Sequence, residues 1–304
     1  MRPLIHIGMP QAGSTFLQEA LFPACPNANR LPHRDPDVLT AFYNPIKSTE
    51  DFFYSHDRCQ DVLRSLVAPD KVTVITHEGL SSTFAMARDA VAARLARLCP
   101  DARILIVVRN QITAIPSAYV QRLRVPNIPF VSFRDYFANN IRAPQVSEFR
   151  QYYYDEVVSL YEDLFGAASV LVLPFELLRQ DPAAFIDSIC NFAELGRPAA
   201  DVATLKRNMR LGKRFIALRK AAGTVMSGQR LLSLWLSLPY NVRQSIKTIG
   251  ARGRPYEPEL TSRDIELLRR AFGASNGRLS ARRALDLPAF GYETECDPQA
   301  RAVA

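Results

Sequence analysis

The residues best suited to chemistry are Gly8–Met9–Pro10–Gln11–Ala12–Gly13–Ser14–Thr15, spaced as GxxxxG with a hydroxyl pair behind it. That spacing makes a phosphate-binding loop, in which backbone N–H groups and the Ser14 and Thr15 hydroxyls converge where a helix begins. The lysine that follows the second glycine in nucleotide triphosphatases is Ser14 here, so β and γ phosphates lack their main cationic partner. The strongest later strand, Arg103–Val108, leads into Arg109 rather than into an acid that could hold magnesium. ATP hydrolysis is disfavoured; phosphate binding is not. Arg109, leaving a buried strand beside such a loop, is suited to a second phosphate. The plainer alternative is that Arg109 and Ser117 merely cap the helix that follows.

These residues need a scaffold that brings strand ends together. Leu4–Ile7, Val72–Thr76, Arg103–Val108 and Val170–Leu173 are apolar, largely β-branched runs, each followed by a helix-like stretch. The helical stretches run over Ser14–Phe22, Met86–Leu98, Ala114–Gln121, Gln151–Phe165 and Pro182–Ala193, the last with proline in its first turn. Strands apolar on both faces imply an α/β fold, a parallel sheet flanked by helices in three layers. Such sheets bind ligands at the C-terminal ends of their strands, here just after Ile7, Thr76, Val108 and Leu173. From about Lys206 the pattern is helical. Thr261–Ser262–Arg263–Asp264 has the form of a capping box opening a last helix through Leu267, Leu268 and Phe272. The expected organisation is one domain over 1–304, with an α/β core to residue 200, a helical basic part over 201–292 and a frayed tail.

With these motifs in order, the sequence resembles the sulfotransferases that use 3′-phosphoadenosine 5′-phosphosulfate (PAPS). GMPQAGSTFLQ is similar to their 5′-phosphosulfate loop, PKxGTTxLQ in many bacterial members, and Arg109 with Ser117 eight residues on is similar to their 3′-phosphate motif. Pro174–Pro182 (PFELLRQDP) resembles their later strand with its (F/Y)E and DP. FGASNGRLSARRALDL, with Asn276, resembles their C-terminal segment. The likeness is weakest over Lys206–Arg254.

The resemblance implies a P-loop-like fold and transfer of a sulfuryl group to a hydroxyl of a glycan, glycolipid or small metabolite, with PAPS as co-substrate and no metal. It places the nucleotide on Gln11, Ala12, Gly13, Ser14, Thr15, Phe16, Arg109, Ser117 and Phe175, the two phenylalanines against adenine. Either ring could equally be core. It also places a histidine or glutamate near the acceptor, where this chain has Thr76–His77–Glu78–Gly79, and Glu78 is preferred to His77 as base. One position departs from the pattern. The loop lysine that serves the leaving group is Gln11, which can donate a hydrogen bond but carries no charge. Two readings follow, an active enzyme with a tolerated variant or a nucleotide-binding protein without turnover. A small-molecule kinase is a more remote third, argued against by the missing lysine.

Composition narrows the setting. The five cysteines and four histidines show neither CxxC nor metal-ligand spacing, so reduced thiols and no structural metal are expected. The apolar run near the N-terminus is far too short for a signal-peptide core or a membrane span, and the expected compartment is the cytoplasm. Charge is lopsided. Twelve Lys and Arg and no acid lie between Asp201 and Glu257, so the rest of the chain carries −4 against a total of +8. That block should face something anionic. With Trp235 and its flanking leucines, residues 206–254 are read as a peripheral contact with an anionic membrane, or as a core helix with basic residues for the 3′ phosphate. No recognition motif for nucleic acid accompanies the charge.

Overall fold

In the computed structural model, residues 1–48, 50–81, 87–125, 128–199 and 256–294 are described, with isolated positions between 202 and 254. The apolar runs form parallel strands: β1 (Leu4–His6), β3 (Val72–Thr76), β4 (Arg103–Val108) and β5 (Val170–Pro174). A short strand not expected from the sequence, β2 (Ala28–Arg30), joins at the edge, and the order is β2-β3-β1-β4-β5. Every pairing is parallel. Consecutive residues of β1, β3 and β4 are buried, so both faces of the sheet are covered. Burial on both faces is what an unbroken Ile/Leu/Val run requires.

After β1 the chain enters α1 (Ser14–Phe16), which continues through a π-helical turn, Leu17–Leu21, into α2 (Phe22–Ala24). The expected helix over Ser14–Phe22 is therefore present but widened by that turn. Residues 31–66 hold α3 (Pro36–Val38), a second π turn at Leu39–Tyr43, α4 (Asn44–Ser48) and α5 (His56–Leu66). The remaining helices are α6 (Arg88–Leu98), α7 (Gln111–Arg122), α8 (Phe133–Ile141), α9 (Tyr154–Phe165), α10 (Phe175–Gln180), α11 (Pro182–Ala193) and α12 (Ser262–Arg283). Helix α9 starts three residues later than the pattern suggests, because Glu148–Tyr152 is a 3-10 turn. Both α9 and α11 pack on β4 and β5, and α12 lies on α9.

Local chemistry sets the helix starts. Asp181 accepts from the Ala184 N–H at 2.9 Å, with Pro182 at the first helical position, so the DP pair is the cap of α11. Thr261 and Asp264 form the reciprocal capping box of α12, at 3.2 and 2.9 Å. Most of the basic block, Trp235 included, and the tail from residue 295 lie outside the described residues.

Candidate active site

Because every strand is parallel, the segments after β1, β3, β4 and β5 leave the same edge of the sheet. The loop after β1 is built on three left-handed residues, Gly8 (φ 68°), Gln11 (φ 61°) and Gly13 (φ 83°). Gly8 has a second reason to be glycine. A Cβ there would lie 2.7 Å from the Cα of Glu78 and 2.8 Å from the carbonyl oxygen of His77. The loops after β1 and β3 are thus in backbone contact, and Ser81 Oγ adds a 3.0 Å bond to the Gly8 carbonyl. A Cβ on Gly13 would meet the Phe175 ring at 2.9 Å, so the start of α10 closes the loop from the other side.

Gln11 lacks the glycine licence for its conformation and is held by two neighbours. Arg109 Nη1 donates to its backbone oxygen at 2.8 Å, and Ser117 Oγ donates to its Oε1 at 2.7 Å. Gln11 Nε2 is left without a hydrogen-bond partner among the described residues. Arg109 is oriented by Thr113 Oγ1, which its Nε reaches at 3.0 Å, and its guanidinium lies 5.1 Å from the centre of the Phe175 ring. The Tyr154 hydroxyl donates to the Arg109 carbonyl at 2.6 Å, fixing the strand end. Ser14 Oγ is buried with no partner among the described residues. A buried hydroxyl in that state costs free energy unless another group meets it. Thr15 and Phe16 sit beside it on α1, where Phe16 packs against the core, and Ala12 is buried.

After β3 the two candidate bases differ. His77 Nδ1 accepts the Gly79 N–H at 2.8 Å, so the proton of the neutral ring lies on Nε2, 3.2 Å from Lys47 Nζ. Burial lowers the Lys47 pKa. Tyr43 covers the ring at 5.0 Å between centroids. Burial, with Lys47 and His33 adding to it, takes the His77 pKa down to about 4. Glu78 is surface-exposed, yet desolvation by the protein around it pushes its carboxyl pKa up, against an opposing pull from Arg34. Among the described residues nothing donates a hydrogen bond to its carboxylate. His6, inside β1, is fully buried against Thr76 Oγ1 at 2.8 Å and takes no part.

Residues 90–199 match the family model described as "Sulfotransferase family". The chain is similar to a mouse sulfotransferase solved in complex with PAP, at 12% identity and a TM-score of 0.52, covering 95% of this chain and 89% of that one. The fold is that of the sulfotransferases. A sulfotransferase from Alicyclobacillus acidocaldarius aligns at 21% identity over 80% of this chain and 99% of its own, with a TM-score of 0.47. No protein of curated function matches the chain.

On this sulfotransferase fold, Gln11, Gly13, Arg109, Ser117 and Phe175 come into direct contact, with Glu78 and His77 against the same loop. The sequence flagged Glu176 and Asn276 within family-like segments but not what they hold. Glu176 of the FE pair accepts from the Asn110 N–H at 3.1 Å and from the Tyr292 hydroxyl at 3.0 Å. It clamps the β4–α7 junction to the segment at Tyr292. Gln111 donates to Asn276 Oδ1 at 2.9 Å, and Asn276 Nδ2 donates to the Glu293 carbonyl at 2.8 Å. Asn276 is therefore a buried tie between α12, α7 and the C-terminal segment. Lys47 carries no motif and became visible only through its contact with His77. Among the described residues no cluster of His, Cys, Asp and Glu is arranged to hold a metal, and no helix is long and apolar enough to cross a membrane.

Proposed function

We propose that the protein is a PAPS-dependent sulfotransferase acting on a hydroxyl of a glycan, glycolipid or small metabolite. The observation that carries this reading is the convergence of Arg109, Ser117 and Phe175 on Gln11 and Gly13 of the loop after β1, beside the unpartnered Ser14 hydroxyl. Those residues suit a nucleotide with phosphate at both ends of its ribose. When bound, the co-substrate supplies the sulfuryl group and leaves as the 3′,5′-bisphosphate. The start of α1 and the Ser14 and Thr15 hydroxyls hold the 5′ phosphate; Arg109 and Ser117 hold the 3′ phosphate; Phe16 and Phe175 offer apolar surface for adenine.

Gln11 Nε2–H is the donor available to the leaving oxygen, a neutral bond where the family pattern has a charged one. Glu78 is the better base. Its carboxylate has no described donor to displace and its raised pKa brings it nearer to neutral pH. His77 already carries a proton on Nε2 and spends Nδ1 on Gly79, so it would have to break that contact to act. Proton transfer from the acceptor hydroxyl to Glu78 accompanies attack. Glu78→Gln is expected to abolish transfer from radiolabelled PAPS while leaving adenosine 3′,5′-bisphosphate binding intact; full activity in that variant rules the assignment out.

Thermal shift tests the reading as a whole. Stabilisation by adenosine 3′,5′-bisphosphate in preference to ATP is expected, and preference for ATP overturns it. The neutral Gln11 favours one second reading, a nucleotide-binding protein without turnover, which predicts the same thermal shift with no labelled product. The setting proposed with the activity is cytoplasmic, with the basic stretch 206–254 touching an anionic membrane. Sedimentation with vesicles that contain or lack anionic lipid tests it.

A further inference from the structure

A cleft of about 380 Å³ opens between the π-helical turn after the phosphate loop, at Gln18 and Glu19, and the end of β2 with the segment behind it, at Arg30, His33 and Arg34. Its chemistry is specific. Arg30 Nη1 donates to His33 Nδ1 at 2.5 Å, and since a guanidinium cannot accept, the His33 proton must lie on Nε2. His33 is only 8% exposed, and its Nε2 finds no partner among the described residues. Burial, aided by Arg30 and Arg34, takes the His33 pKa down to about 4, so the ring is neutral and that N–H persists at neutral pH. No carboxylate pairs with Arg30 among the described residues. Arg34 does pair with Glu19, but the two side chains are 70% and 44% exposed, and such a screened pair is easily exchanged. Asp35 is occupied, capping α3 through the Asp37 and Val38 N–H groups at 2.9 and 3.2 Å.

The place of this cleft matters as much as its charge. Strand β2 lies beside β3, on the opposite side of β1 from β4 and β5. The nucleotide residues Arg109, Ser117 and Phe175 come from the β4–β5 side, so the cleft lies on the other flank of the phosphate loop. The fields of His33 and Arg34 reach His77 and Glu78, respectively.

We infer that this cleft binds the acceptor, and that the acceptor carries an anionic group, a carboxylate or a phosphate, seated on Arg30 and the His33 Nε2–H with its hydroxyl toward Glu78. This rests on the sulfotransferase reading for the word acceptor, but the anion site stands on Arg30 and His33 alone. The test is calorimetric titration of the full chain, saturated with adenosine 3′,5′-bisphosphate, by inorganic phosphate, glucuronate and neutral glucose. Phosphate or glucuronate is expected to bind and glucose not, and the two anions tell the two chemistries apart. Arg30→Gln should weaken anion binding at least tenfold and Arg30→Lys by less, with the thermal shift by the bisphosphate unchanged in both. Glucose binding as well as the anions, no anion binding, or binding indifferent to Arg30→Gln overturns the inference. Loss of the bisphosphate shift in the unmodified chain instead sinks the nucleotide reading, and Arg30-dependent anion binding is still read without it.

Discussion

Gln11 concentrates the tension in this site. It adopts a conformation that costs a side-chain-bearing residue roughly 1–2 kcal/mol, and its carbonyl and side chain are each gripped by a residue assigned to the nucleotide. Gln11→Lys is expected to raise turnover about tenfold or more, because a charged donor on the leaving oxygen is worth roughly twice a neutral one. Steady-state transfer assays of both forms check it; no activity in either leaves only the nucleotide-binding reading. The sequence alone exposed this position, through the loop spacing and the missing lysine. It could not show that Ser117 would bond to the glutamine itself, nor that Gly79 and Lys47 would occupy both ring nitrogens of His77. The Lys47–His77 and Ser117–Gln11 contacts join residues 30 and 106 positions apart and have no local signature.

At the scale of elements, what could be read follows from burial. Strands covered on both faces announce themselves as unbroken aliphatic runs, and α11 matched its expected bounds because Asp181, Pro182 and the apolar spacing agree. Strand β2 was invisible. It is three half-buried residues at an edge, two of them Asn29 and Arg30, held by backbone bonds to β3. The π turns escaped for a related reason, since one added residue per turn leaves apolar periodicity almost unchanged over so short a stretch. Helix α5 is amphipathic but polar in composition, with only Cys59 and Leu63 buried. The caps permit a direct test: Asp181→Ala should cost about 1 kcal/mol in chemical denaturation. A loss well below that would mean the Pro182 turn holds α11 without the side chain.

Across the whole molecule, three of the four histidines are pushed below their ordinary range. His6 falls to about 3 by burial, His33 to about 4 by burial with Arg30 and Arg34, and His77 to about 4 by burial with Lys47. The unfolded chain takes up these protons near pH 6.5 and the folded chain does not, so stability falls as pH drops from about 6.5 toward 4. His6 alone contributes a slope of up to about 1.4 kcal/mol per pH unit. Urea denaturation between pH 7.5 and 4.5 should show that decline, and His6→Asn should flatten it by up to one proton; an unchanged slope would place the titration elsewhere. A further consequence follows from the close approach at Gly8. With that backbone pressed on Glu78, whatever quiets the loop after β1 must also quiet the turn after β3. Adding adenosine 3′,5′-bisphosphate should therefore slow deuterium uptake at the amides of Gly79 and Leu80, which the nucleotide itself need never touch.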